Sequence, residues 1–173
     1  ILVVLPEPVA VEAGVQVVMA EMRPVRPTPV HRSDRLAELV CSNSLRSDDP
    51  EHAAGLLKRE MELFGSLIIG TAREAAVPAG SALAVDRDRF AAAVSEKLQA
   101  LPGLEIRREE VTDLAALTAE HDTVLATGPL TSPALAAQLG ELLGSDYLYF
   151  YDAIAPIVDG EALDMTKLFW MSR

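Results

Sequence analysis

Cysteine is almost missing: Cys41 stands alone in 173 residues. A disulfide framework within the chain is therefore excluded, which fits a reducing compartment. Basic charge is also scarce, with 15 Lys and Arg against 26 Asp and Glu. The formal net charge of −11 speaks against broad, unspecific contact with phosphate backbones, which needs Lys and Arg. No apolar run approaches a membrane span, because Pro, Gly or charge breaks each one. The opening run, residues 1–5, is too short for the core of a signal peptide and has no basic residue before it. Three histidines, His31, His52 and His121, are scattered without ligand spacing, so no metal site is expected. A G-x-S-x-G elbow is absent, which leaves a Ser-His-Asp hydrolase unsupported. A Gly-rich turn is absent too: where G-x-G-x-x-G would follow a first strand, the chain reads Leu5-Pro6-Glu7-Pro8-Val9-Ala10. A carboxylate and two prolines there repel a pyrophosphate and remove backbone donors.

Apolar residues make up 50% of the chain, enough for one domain with a core and against disorder. Residues 1–5 read as a buried strand, and residues 15–21 as a second one closing on Glu21. The link between them, residues 6–14, is short for a parallel crossover. Residues 22–32 hold Pro24, Pro27 and Pro29 and read as an ordered loop. Residues 41–47 form a polar loop before a helix that starts near Pro50, with Asp48 as its cap and Glu51 three residues on. Ala53, Leu57, Met61, Phe64 and Ile68 predict its buried face, and Gly65 and Gly70 its breaks. A turn at Pro78-Ala79-Gly80 leads to a strand at 82–85. A helix capped by Asp86 follows, with Phe90, Val94, Leu98 and Leu101 inward. Edge strands are expected at 104–107 and around Val111, and buried or aromatic ones at 123–126 and 147–151. Between those two, Ser132-Pro133 opens a helix with Leu135, Leu139 and Leu142 inward and Gly144 as its stop. Alternating strands and helices predict an α/β domain with a mainly parallel sheet.

Four features bear on chemistry. Glu21 ends a strand, where a carboxylate can bond ribose hydroxyls; it is equally an ordinary strand end. Ala126-Thr127-Gly128 can bring backbone close to a cofactor, or be a plain strand-to-turn junction. Cys41 by residue type favours burial behind Val40; a reactive thiol needs help from a helix N-terminus and Arg46. Arg23, Arg26, His31, Arg32 and Arg35 cluster with only Glu21 and Asp34 counted near them, as a solvated loop or an anion site. The alternating charges Asp86 to Arg89 read as a cap and surface pairs.

Several longer stretches carry a resemblance. They are Glu21-Met22-Arg23-Pro24-Val25-Arg26-Pro27-Thr28-Pro29, Leu39-Val40-Cys41-Ser42-Asn43-Ser44-Leu45-Arg46-Ser47-Asp48 and Leu83-Ala84-Val85-Asp86-Arg87-Asp88-Arg89-Phe90. Ala126-Thr127-Gly128-Pro129-Leu130-Thr131-Ser132-Pro133 and Tyr149-Phe150-Tyr151-Asp152-Ala153-Ile154-Ala155-Pro156-Ile157-Val158 complete them. Together they resemble the folate- and FAD-dependent tRNA (uracil-5-)-methyltransferases, the TrmFO (Gid) family. The resemblance implies a glutathione-reductase-like, Rossmann-type FAD domain. Residues 1–173 would be its incomplete N-terminal part, without the first Gly-rich turn and helix. It implies cofactor contacts from Glu21, Met22, Arg23, Asn43, Ser44, Val111, Ala126, Thr127 and Gly128, and a catalytic Cys41 near the flavin ring. It further implies FAD as cofactor, methylenetetrahydrofolate and NAD(P)H as co-substrates, the T-loop of tRNA as partner, and a cytoplasmic setting with no membrane contact. The rival readings are an FAD-binding oxidoreductase module of the same fold and a non-catalytic fragment.

Overall fold

Nearly every side chain of strand β1 (Val17–Glu21) is hidden: Val17, Met19, Ala20 and Glu21 are buried. A strand covered on both faces suits parallel pairing, where crossover segments lie over the sheet. Its partner is β5 (Leu104–Arg108), which runs parallel, with Val17 opposite Leu104 and Glu21 opposite Arg108. The computed structural model describes residues 14–120, 122–144 and 166–167. The strands expected at 1–5 and 147–151, and residues 6–13 of the link, lie outside the described residues.

Between β1 and β5 the chain builds a second, antiparallel sheet from β2 (Ser44–Ser47), β3 (Ala76–Val77) and β4 (Ala82–Val85), in the order β2-β4-β3. The α/β class holds, but parallel pairing among the described residues is confined to β1 and β5. The polar sequence of β2 hides it from pattern reading. It is a short, half-buried edge with an irregular register, and Arg46 sits at φ 68°.

Two helices follow, α1 (Ala53–Leu63) and α2 (Leu67–Glu74), parted at Gly65 as expected; Gly70 lies inside α2 without breaking it. The cap differs from expectation. The N-cap of α1 is His52, whose side chain makes no cap bond, while the Asp48 carboxylate pairs with Arg73 of α2. The buried face differs as well. Leu57 is 56% exposed and Phe64 77%, and α1 turns Gly55 and Lys58 inward. Close backbone contact overrides the apolar period: a Cβ on Gly55 would stand 1.9 Å from the Asp49 carbonyl oxygen. Lys58 Nζ donates to the Ser47 and Ala54 carbonyls at 2.7 and 2.9 Å, tying β2 to the helix.

Helix α3 (Arg87–Gln99) matches its prediction. Asp86 accepts from the amides of Asp88 and Arg89 at 3.1 and 3.0 Å, and Phe90, Val94 and Leu98 are buried, with Leu101 packed beside them. These residues form the main core with Met19, Leu36, Ala72, Leu83 and Val85. Ser95 stitches the loop to it: its hydroxyl accepts from the Leu36 amide at 2.9 Å and donates to the Ala91 carbonyl at 2.7 Å.

After β5 the sequence reading fails twice. No strand forms around Val111 or over residues 123–126, and Val124 and Ala126 are exposed. A strand needs a ladder partner, and among the described residues neither stretch has one. The chain instead forms α4 (Leu114–Glu120), a 3₁₀ turn (Gly128–Leu130) and α5 (Pro133–Leu143), capped by Ser132 and ended by Gly144. Leu135 and Leu139 pack on Leu114 in a small second core; Leu142, expected inward, is 68% exposed. Among the described residues no helix is long and apolar enough to cross a membrane.

Gly55→Ala tests the placement of α1. The added methyl meets rigid backbone, so the variant should lose about 1–3 kcal/mol of stability in urea unfolding. An unchanged midpoint would show that α1 does not press on Asp49.

Candidate functional site

Strand β1 ends in Glu21, and Arg23 folds back upon it. The Arg23 amide and Nε donate to Glu21 Oε1 at 2.9 and 3.0 Å, and Nη2 donates to Oε2 at 3.3 Å. Both residues are buried, Glu21 at 1% exposure and Arg23 at 4%. Arg23 has further acceptors on its far side: Nη1 donates to the Ser33 carbonyl at 3.2 Å and to Glu38 Oε2 at 3.4 Å, and Nη2 to the Arg35 carbonyl at 3.1 Å. All five N–H groups of the guanidinium are thus used. Burial pushes the Glu21 carboxyl up, but the bonds from Arg23 outweigh it and hold the group below the usual carboxylate range.

Glu38 works on the same loop. It accepts from the amides of Arg32 and Ser33 at 2.8 and 3.0 Å and from the Ser33 hydroxyl at 2.7 Å. Burial raises its carboxyl, and these donors bring it below the usual range. Across the ladder, Arg108 Nη1 donates to the Arg23 carbonyl at 3.2 Å and the Asp34 carbonyl at 2.7 Å. Burial, and then the Arg23 charge, push the His31 imidazole down. Thr28 Oγ1 accepts from the His31 amide at 3.2 Å and lies within hydrogen-bond distance of Nδ1, at 2.6 Å.

These groups wall a cavity of about 190 Å³, lined by Glu21, Met22, Arg23, His31, Ala37, Glu38, Val40, Ala126, Thr127 and Leu130. A smaller one adjoins it, sharing Met22, Thr127 and Leu130 and adding Ala20, Glu109, Glu110 and Val111. Glu110 Oε2 accepts from Arg26 Nη1 at 3.2 Å, while its Oε1 is buried without a partner among the described residues. Gly128 opens the 3₁₀ turn at φ 65°, and no atom stands within 4 Å of where its Cβ would be. Among the described residues no group of three or more His, Cys, Asp or Glu could hold a metal ion.

The family model described as "Glucose inhibited division protein A" matches residues 9–173. The chain belongs to that family. Proteins named methylenetetrahydrofolate–tRNA-(uracil-5-)-methyltransferase TrmFO, from Bacillus cereus (strain AH820) and Bacillus anthracis, are each 54% identical to it over 160 residues. The same-named protein of Bacillus cereus (strain AH187) is 55% identical over 160 residues. Each match covers 92% of this chain and 36% of the relative, so the chain spans about a third of the length of these curated relatives.

Of the residues that the resemblance to this family singles out, Glu21, Met22, Arg23, Val111, Ala126 and Thr127 come together around the two adjoining cavities, with Gly128 next in the chain. Asn43 and Ser44 lie elsewhere, in the β2–β4 ladder. Asn43 Nδ2 donates to the Val85 carbonyl at 3.1 Å, and Ser44 pairs with Ala84. Cys41 is exposed, against the burial that its residue type favours, and it follows Val40 of the cavity wall. The arginine cluster is neither a solvated loop throughout nor an open anion site, since Arg23 is buried on Glu21 and Arg26 pairs with Glu110. Sequence reasoning missed Glu38 and Glu110. The excess of positive charge over residues 23–35 was the available signal, because a buried arginine demands counter-charges and Glu38 is three residues beyond Arg35.

A carboxyl held below its unfolded value contributes stability above that value, near 4.5 for glutamate, and loses it as pH falls through the folded one. Wild-type chain should therefore lose more melting temperature than Glu21→Gln between about pH 6 and about pH 3. Equal losses would mean that Arg23 does not hold the carboxylate.

Proposed function

We propose that the cleft at the tip of β1 takes the adenosine half of FAD, and that residues 1–173 are part of a glutathione-reductase-like FAD domain in a folate-dependent tRNA (uracil-5-)-methyltransferase. The observation that carries this reading is convergence. The ends of β1 and β5 and the turn before α5, far apart in sequence, meet at one pair of adjoining cavities. Ligands of open α/β sheets bind outside the carboxyl ends of the strands, where this cleft lies.

The residues present fit a nucleotide. Glu21 is an acceptor for a ribose hydroxyl at the strand tip. Among the described residues nothing donates to Glu110 Oε1, and an exocyclic amine or a hydroxyl would. Thr127 Oγ1 lies 2.6 Å from Thr131 Oγ1, which donates to the Gly128 carbonyl at 2.7 Å, so the turn is braced where glycine leaves room for a ligand. Met22 and Leu130 give apolar contact on both sides of the shared wall. When bound, FAD supplies electron transfer for reducing the one-carbon unit of methylenetetrahydrofolate, delivered to C5 of the T-loop uridine, with a nicotinamide cofactor as the electron source.

This chain's own residues hold and orient the nucleotide. The exposed thiol of Cys41, one residue past Val40 of the wall, is the soft nucleophile that the family resemblance puts near the flavin ring, open to substrate. The acidic balance of the chain gives tRNA phosphates little to bind, so the tRNA surface belongs to the rest of the relatives' length. Such an enzyme works on cytoplasmic tRNA.

A hybrid provides the test: residues 9–173 replace the matching third of the Bacillus cereus relative. The hybrid should purify yellow and methylate tRNA lacking the T-loop methyl. Cys41→Ala should keep the colour and lose about a hundredfold or more in methyl transfer. A colourless hybrid would remove the flavin reading, and full activity in Cys41→Ala would remove the thiol from the chemistry.

A further inference from the structure

Three of the bonds that Glu38 accepts come from the loop itself, from the Arg32 amide and from the amide and hydroxyl of Ser33. The fourth comes from Arg23 Nη1 at 3.4 Å, between side chains 5% and 16% exposed. That is long for a hydrogen bond, but so little water reaches the pair that it keeps much of its attraction. Arg23 therefore lies between two carboxylates, and their positions fix its plane. The Nε–Nη2 edge serves Glu21 and Nη1 serves Glu38. Without the charge of Glu38, only the Ser33 and Arg35 carbonyls restrain the far side of the guanidinium.

On Glu21, Oε1 takes two donors and Oε2 takes one, the longest of the three at 3.3 Å. A carboxylate oxygen accepts about two, so Oε2 keeps one position for a further donor. We propose that Glu38 is a positioning residue of the cleft: through Arg23 it holds the Glu21 carboxylate aligned at the tip of β1, with that one position left for a ligand hydroxyl. The part concerning a ligand rests on the nucleotide reading of the cleft. The hold on Glu21 does not. Among the described residues, the charged or titratable groups around Glu21 include Arg23, His31 and Glu38 from the loop, Arg108 from the facing strand and Glu109 just beyond it.

Carbon-13 spectra of the side-chain carboxyls follow Glu21 in the 173-residue chain without ligand, the signal being assigned by its loss in Glu21→Gln. Glu38→Gln should move the Glu21 titration upward. Ser33→Ala, which removes a loop bond to Glu38 but none to Arg23, should leave it in place. An unmoved titration in Glu38→Gln, or an equal shift in Ser33→Ala, overturns the proposal. Should Glu38→Gln fail to fold, Glu38→Asp keeps the charge on a shorter stem, and the same upward direction is required of it. FAD titrations of the hybrid by fluorescence quenching give the second readout. Glu38→Gln should weaken binding by about tenfold, and in a Glu21→Gln background it should add little. Equal weakening in both backgrounds overturns action through Glu21. A hybrid with wild-type residues 9–173 that ignores FAD, while the Glu21 titration of the 173-residue chain still responds to Glu38→Gln, would sink the nucleotide reading and uphold the hold of Glu38 on Glu21.

Discussion

A buried arginine with no free N–H is the constraint on which this structure turns. Stripping water from a guanidinium and a carboxylate costs several kcal/mol for each ion, and their attraction offsets this only when the remaining hydrogen-bond positions are filled. Arg23 meets that condition with Glu21, Glu38 and the carbonyls of Ser33 and Arg35. One side chain thereby fastens the end of β1 to a loop that has no secondary structure of its own. Arg108 adds a second fastening from β5, through the Arg23 and Asp34 carbonyls.

The same arrangement assigns roles within the arginine cluster. A guanidinium with every donor committed is not available to a phosphate, so Arg23 shapes the cleft rather than gripping an anion. Lysine in its place would bring three donors on a point charge where a planar fork is needed. Around this fixed corner, the exposed Cys41 and the braced Gly128 turn lie on segments with few buried contacts, which is where local opening is least costly.

Legibility in the sequence followed the kind of signal involved. Helix α3 could be read because cap and period agreed: Asp86, then Phe90, Val94 and Leu98. Strand β1 could be read as a continuous apolar run with an acid at its end. Helix α1 was located but turned the wrong way, since the contact of Gly55 with Asp49 and the carbonyl bonds of Lys58 leave no trace in apolar spacing. Strand β2 was hidden because its stability comes from pairing with β4, not from alternation. At the site, the motif resemblance named Glu21 and Thr127, which line the cavity. It did not name Glu38, which lines the same cavity, because only coordinates show which carboxylate a distant guanidinium faces.

The claim that Arg23 joins strand tip and loop into one unit is tested most directly by hydrogen exchange on wild-type chain and Arg23→Lys. The amides of Arg32 and Ser33, bonded to Glu38, and of Glu109, bonded to the Glu21 carbonyl at 3.0 Å, report on that unit. Those of α3 serve as the internal reference. The account predicts that the first group loses protection by about tenfold or more while α3 is unchanged. Loop amides as well protected in Arg23→Lys as in wild type would contradict it.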